Sequence, residues 1–433
     1  MPLPLMALVH QKFETVAIAD PALEVSHQLE RLELGKRIRP GETVAITVGS
    51  RGIANIAAIT RGIVDHVRSL EATPFIVPAM GSHGGATAEG QAALIAGYGV
   101  TSEAMGCEIR SSMETVIIDR TPQGIPVHFD RHAASADHVI VSGRIKPHTG
   151  FVGEIESGLH KMMLIGLGKH AGAFVYHRAI KDFSFGEIIR AVADVVLKKC
   201  RVAAGVAILE NASDETALIE AVPPEAFYER ERELLRQARS WLPRLPVSDV
   251  DLLIVDEIGK NISGTGMDTN IVGRKYNDHA ATEQDDVRCR RIFIRSLTAE
   301  TKGNACGIGL SEFTNRRTVA QIDDAYTKVN CITSGHPTAG MIPLVYDTDR
   351  EAIEDALQTI GLTEPEDARV VHITNTLHLH DVFVSAACLT ELASVPNVEI
   401  RSRPEPFAFD AAGNLLSVAE RAGNRETHAK AKA

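Results

Sequence analysis

Five short apolar runs constrain this chain more than anything else in it: Thr43–Val48, Pro74–Pro78, His138–Ser142, Ala203–Leu209 and Asp251–Val255. Most are apolar without interruption. A strand with one face in water alternates polar and apolar residues, whereas a strand buried on both faces does not, and burial on both faces is the habit of parallel sheets covered by helices. Between the first two runs Ile56, Ile59, Ile63, Val64 and Val67 recur at helical spacing. The chain thus opens a β-α-β unit, and its class is α/β with mostly parallel sheets.

A length of 433 residues exceeds one ordinary core, so two α/β domains are expected. The charged stretch Pro223–Arg244 reads as an exposed helix that stops at Leu245-Pro246, before a new apolar run. The boundary is placed there, giving an N-terminal domain over 1–245 and a C-terminal domain over 246–433 that ends in a polar tail from Ala419. The net charge of −11 and the lack of a Lys/Arg cluster argue against nucleic acid as a partner. The six cysteines (Cys107, Cys200, Cys289, Cys306, Cys331 and Cys388) form no CxxC pair and no disulfide framework, which fits a cytoplasmic protein. Met1–His10 is apolar but short and has no basic residue before it, so neither a signal peptide nor a membrane span is expected.

Four loops rich in Gly or His follow predicted strands, where open α/β sheets bind their ligands. Gly49-Ser50-Arg51-Gly52 places an arginine fork at a strand end, suited to a carboxylate. Gly81-Ser82-His83-Gly84-Gly85 offers a histidine for general acid/base work. The third loop runs from Arg144 through Lys146, His148, Phe151, His160, Lys161, Lys169 and His170 to His177. Its density admits a metal site, a phosphate cradle or a covalent lysine. Its histidines match no zinc spacing, and Gly166-x-Gly168-x-x-x-Gly172 is not a dinucleotide fingerprint, which disfavours a nicotinamide-dependent dehydrogenase. The fourth loop, Gly259-Lys260-Asn261-Ile262-Ser263-Gly264-Thr265-Gly266, adds a lysine among glycines.

In these loops the chain resembles the nickel-dependent lactate racemases and their relatives, from about residue 40 to 400. Arg51 stands where the family has its carboxylate-binding arginine, His83 and His148 where it has its two acid/base histidines, and Lys161 and His177 where it has its cofactor lysine and nickel ligand. Lys161 and His177 are 16 residues apart, the family's interval; His148 and Lys161 are 13 apart (161 − 148), about three more than in the lactate racemases. Ser157-Gly158 replaces the family's Gly-Gly pair, and His160 adjoins the lysine. The departure suggests a subfamily with another substrate.

The resemblance implies an isomerase that racemises or epimerises a small 2-hydroxy acid. Its covalent nickel-pincer nucleotide would be tethered to Lys161, coordinated by His177 and made by separate cofactor-synthesis proteins. A hydride would leave C2 while His83 or His148 takes the hydroxyl proton. Arg51 and Lys260 would bind substrate in a cleft between the two domains. Two rivals stand beside it: a hydrolase with an ordinary metal on His83, His148, His160 and His177, and a non-catalytic nucleotide or phosphate binder.

Overall fold

The computed structural model describes residues 1–49, 52–180 and 182–423, and the chain divides into two compact α/β units. One comprises Glu14–Leu242; the other comprises Met1–Phe13 with Pro243–Ala433.

The sheet of the Glu14–Leu242 unit has six strands, in the order Glu108–Ile109, Thr73–Pro78, Thr43–Val48, His138–Arg144, Val202–Glu210 and Thr216–Val222. All neighbours are parallel except the last pair. The continuous apolar runs have a direct cause here. Successive strand side chains point to opposite faces, and both faces are covered. Val44, Ile46, Ile76 and Ile140 enter one core with the helices Pro21–Glu30 and Ile56–Ser69. Ala45, Val77, Val139 and Val141 enter another with Phe185–Lys199 and Phe227–Trp241.

From Thr43–Val48 the chain proceeds to Thr73–Pro78 on one side and returns later as His138–Arg144 on the other. The order therefore reverses between Thr43–Val48 and His138–Arg144, and a crevice opens at the carboxyl ends of such a pair.

The second unit is built on eight strands, in the order Leu344–Tyr346, Phe313–Asn315, Arg288–Ile294, Asp249–Val255, Val370–Ile373, Asp381–Ser385, Met6–Gln11 and Val398–Ile400. The first five are parallel and the last three antiparallel to their neighbours. Met6–Gln11 pairs with Asp381–Ser385 and Val398–Ile400, so the chain's first strand lies in this sheet and not with the 14–242 residues that follow it. At the carboxyl end of Asp249–Val255, Asp256 is buried. It accepts from His372 Nε2 at 2.6 Å and from the Val418 amide at 2.8 Å, and it pairs with Arg295. Burial works against its charge, but His372, Arg295 and the amide together hold its carboxyl below the usual range.

The stretch read as an exposed helix is amphipathic in the fold. The helix Phe227–Trp241 buries Phe227, Glu231, Leu234, Leu235 and Ala238 on one face, a core stripe of helical period.

Close helix contact sets one testable limit. A Cβ on Gly62 would stand 2.3 Å from Val25 Cγ1 and 2.7 Å from the Ala22 carbonyl oxygen of the facing helix. Gly62→Ala gains roughly 1 kcal/mol of helix propensity, but overpacking costs about 1–3 kcal/mol. The expected outcome is a lower urea midpoint for the full chain; a higher one would mean that the helix pair relaxes at little cost.

Candidate functional site at the carboxyl edge of the first sheet

Three segments carrying candidate residues meet at the carboxyl edge of the six-stranded sheet. Their closeness is dictated by missing side chains. A Cβ on Gly49 would lie 2.1 Å from the Ala79 carbonyl oxygen, and one on Gly166 would lie 2.8 Å from the same atom and 2.4 Å from Met162 Sδ. Met162–Gly166 is one turn of π-helix, in which the Leu167 amide donates to the Met162 carbonyl at 2.8 Å. Such turns are rare and are frequent at functional sites.

Phe151 organises what the third loop brings together. The His148 ring stacks on it with centroids 4.3 Å apart, and the Phe185 ring stacks on it at 4.1 Å. The His177 ring lies 6.0 Å away, and Lys161 Nζ lies 5.8 Å from the ring centroid. His148, Lys161 and His177 thus share one aromatic neighbour. Burial, and then the charge of Lys161, hold the His177 imidazole below its ordinary value. Neutral imidazole is the form that ligates a metal.

The His148 ring is set by its own loop. The amides of Gly150 and Phe151 donate to Nδ1 at 2.9 and 3.2 Å. An accepting Nδ1 carries no proton, so the neutral ring bears its hydrogen on Nε2 and presents a donor there. The buried Glu156 carboxylate holds this loop, accepting from the amides of His148 at 2.8 Å and Gly153 at 3.2 Å and from Arg239 at 2.8 Å.

His160 does not join the group around Phe151. It is 2 % exposed, its Nδ1 bonds Glu231, and its ring meets Phe227 and Tyr228 edge-on at 6.4 and 6.0 Å. Glu231 also accepts from the amides of Leu159 and of His160, the latter at 3.1 Å, and so caps the short helix Gly158–Lys161. With His160 anchored on that side, its neighbour Lys161 is the one that faces Phe151. Among the described residues no three or more His, Cys, Asp or Glu side chains are placed to hold a metal together. A hydrolytic ion on His83, His148, His160 and His177 therefore finds no ligand set there.

His83 is exposed in the loop after Thr73–Pro78, just before the turn Gly84–Ala86. Arg51 lies outside the described residues. Arg144, at the end of its strand, donates to the Gly52 carbonyl at 3.0 Å and pairs with Glu210, which accepts from the Ala54 amide at 2.8 Å. These bonds hold the segment following Arg51. In the other unit Lys260 closes its own loop: its ammonium donates to the Gly264 carbonyl, while its amide donates to Thr301 Oγ1 at 3.1 Å.

Sequence reasoning gave no role to Phe151, Glu156 or Glu231. A signal for Glu231 was present, because it shares the helical spacing of Phe227, Leu234, Leu235 and Ala238. An acid on a core stripe is buried with partners or is absent.

A mostly parallel α/β unit whose switch-point edge gathers histidines and a lysine around one aromatic ring is the class that fold and site define. Within it, residues 8–184 match the family described as lactate racemase N-terminal domain. Among solved structures, the chain is similar to the lactate racemase apoprotein from Thermoanaerobacterium thermosaccharolyticum. That match has a TM-score of 0.51 and 15% identity and covers 84% of this chain and 93% of that one, a likeness of fold. A protein from Thermotoga maritima matches at a TM-score of 0.44 with 12% identity, over 64% of this chain and 71% of its own. No curated protein matches the sequence significantly. Among the described residues no helix is long and apolar enough to cross a membrane.

The arrangement fits the cofactor that the resemblance implies. A pincer that brings its own sulfur and carbon donors needs one imidazole and one tethering amine from the protein, not a three-residue ligand set. His177 and Lys161 stand beside one ring and would supply these.

The electrostatic coupling between them is measurable. Lys161→Met removes a positive charge that lowers the His177 pKa. The His177 imidazole is then expected to titrate at higher pH than in the parent, read by NMR of labelled histidine. The parent His177 keeps its neutral form until the pH falls through its depressed pKa, so the variant loses that form at a higher pH. An unchanged or lower midpoint in the variant would refute the coupling.

Proposed function

We propose that this protein is an isomerase that inverts C2 of a small 2-hydroxy acid, with a nickel-pincer nucleotide held covalently on Lys161 and ligated through His177. The observation that carries the reading is the shared Phe151 ring: Lys161 Nζ, His177 and His148 all stand against it. The family of residues 8–184 supports a racemase-type activity.

When bound, the cofactor supplies a hydride acceptor for the C2–H bond, which is too weakly acidic for easy proton removal beside a hydroxyl. The chain's own residues handle binding and protons. Arg51 binds the carboxylate with its two-pronged fork. His83, in a glycine loop that leaves its ring little local packing, takes the hydroxyl proton as base. His148 offers Nε2–H to the same oxygen as a hydrogen-bond donor, and it accepts a proton at Nε2 only once the Gly150 and Phe151 amides have released Nδ1 and the ring proton has moved there from Nε2. Inversion needs a proton relay on both faces of C2, and these two rings provide it. The reading places the protein in the cytoplasm, with separate cofactor-synthesis proteins as its partners and neither nucleic acid nor membrane among them.

The test is the intact mass of the protein co-produced with the pincer-synthesis enzymes and nickel. The expected result is an added mass that peptide digestion maps to Lys161. An unmodified chain, from a host that loads a known racemase, would overturn the reading. On the loaded protein, His83→Ala and His148→Ala are each expected to lower inversion by about 10²–10⁴-fold with the adduct retained. Near-parent turnover in either variant would remove that histidine from the proton relay.

A further inference from the structure

We propose that Gln91, oriented by the buried Lys169, is the positioning residue that fixes the His83 loop to the helix bearing His177. The proposal rests on the acid/base reading of His83 and adds a device to it.

Lys169 is the first residue of the helix Lys169–Ala179, which carries His177. It is 0% exposed and has a left-handed backbone, with φ at +54°. Both features are costly, since a non-glycine residue pays strain at positive φ and a buried ammonium must be fully paired. Its ammonium donates to the Pro78 carbonyl at the end of its strand and to Gln91 Oε1 at 3.4 Å, and it forms an ion pair with Asp130 Oδ2 at 3.2 Å. Asp130 is itself fixed, its Oδ1 accepting from the Ala133 amide at 2.8 Å.

The bond to Gln91 decides how that amide lies. A lysine has no acceptor, so Oε1 must face the ammonium and Nε2 must face away from it. Nε2 then donates to the Gly81 carbonyl at 2.8 Å and the His83 carbonyl at 3.4 Å. Gln91 is fully buried, so nothing in solvent competes for these bonds. One side chain thereby links the backbone on both sides of Ser82 to the residue that starts the His177 helix. An apolar pair at 91 and 169 would fill a core more cheaply. Strain and buried charge held together in this way are characteristic of functional sites.

The discriminating variant is Gln91→Glu in the full chain without cofactor. It keeps an acceptor for Lys169 and adds charge attraction, but it removes both donors to the loop. Amide hydrogen exchange across residues 81–87 is expected to quicken by roughly ten-fold more than exchange in the strands Thr43–Val48 and His138–Arg144. An equal quickening in loop and strands would mark a general loss of stability and overturn the proposal, as does unchanged exchange in the loop. If Gln91→Glu does not fold, Gln91→Met, neutral and of similar length, is judged by the same two readouts. Because no cofactor is involved, a failed adduct at Lys161 leaves this test standing, and a failure here leaves the adduct test standing.

Discussion

The candidate site depends first on the buried Glu231 carboxylate. The short helix Gly158–Lys161 starts with amides that have no partners inside the helix. Glu231 receives those of Leu159 and His160 together with the His160 ring, all out of water. A carboxylate at a helix start is favoured by charge as well as by hydrogen bonding. One interaction thus caps the turn, immobilises the histidine that competes with Lys161 for the site, and ties the turn to the helix Phe227–Trp241. Removing the acid would leave several buried donors unpaired at once, each costing about 1–3 kcal/mol.

A second layer of buried polar contacts works in the same way around the other loops. Glu156 collects the amides of His148 and Gly153, Arg144 and Glu210 hold the segment that follows Arg51, and Lys169 collects Asp130, Pro78 and Gln91. Loops at strand ends lack ladder hydrogen bonds of their own, so their conformations must be specified from beneath. The chain meets that need with charged groups that are half-buried or fully buried, which hold a single geometry more tightly than neutral groups do. The carboxyl edge of this sheet is accordingly where the unit concentrates its buried charges.

The α/β class was legible because burial on both faces is written into consecutive residues: Val44–Ile46 and Val139–Val141 are apolar in succession since neither strand has a wet side. The strand Met6–Gln11 was not assigned to its sheet, because its partners Asp381–Ser385 and Val398–Ile400 lie at the other end of the chain and pairing at that distance leaves no local pattern. The helix Phe227–Trp241 was read as exposed from its charge. Its buried face is visible only when Glu231 is counted with Phe227, Leu234, Leu235 and Ala238. Candidate side chains were found through residue type and position after strands, whereas Phe151, which gathers three of them, has no chemistry that a sequence scan flags.

The interval of 13 between His148 and Lys161 can be understood in these terms. The intervening residues include Phe151, whose ring takes the position between His148 and His177, and Glu156, whose carboxylate ties the loop back to the His148 amide. The same loop fixes the His148 tautomer through the Gly150 and Phe151 amides. A shorter connection would have to give up the turn, the ring or the tie. The loop length, the Nε2–H tautomer and the aromatic stack are therefore one structural solution, and a change in any of them alters the ring that would face the substrate oxygen.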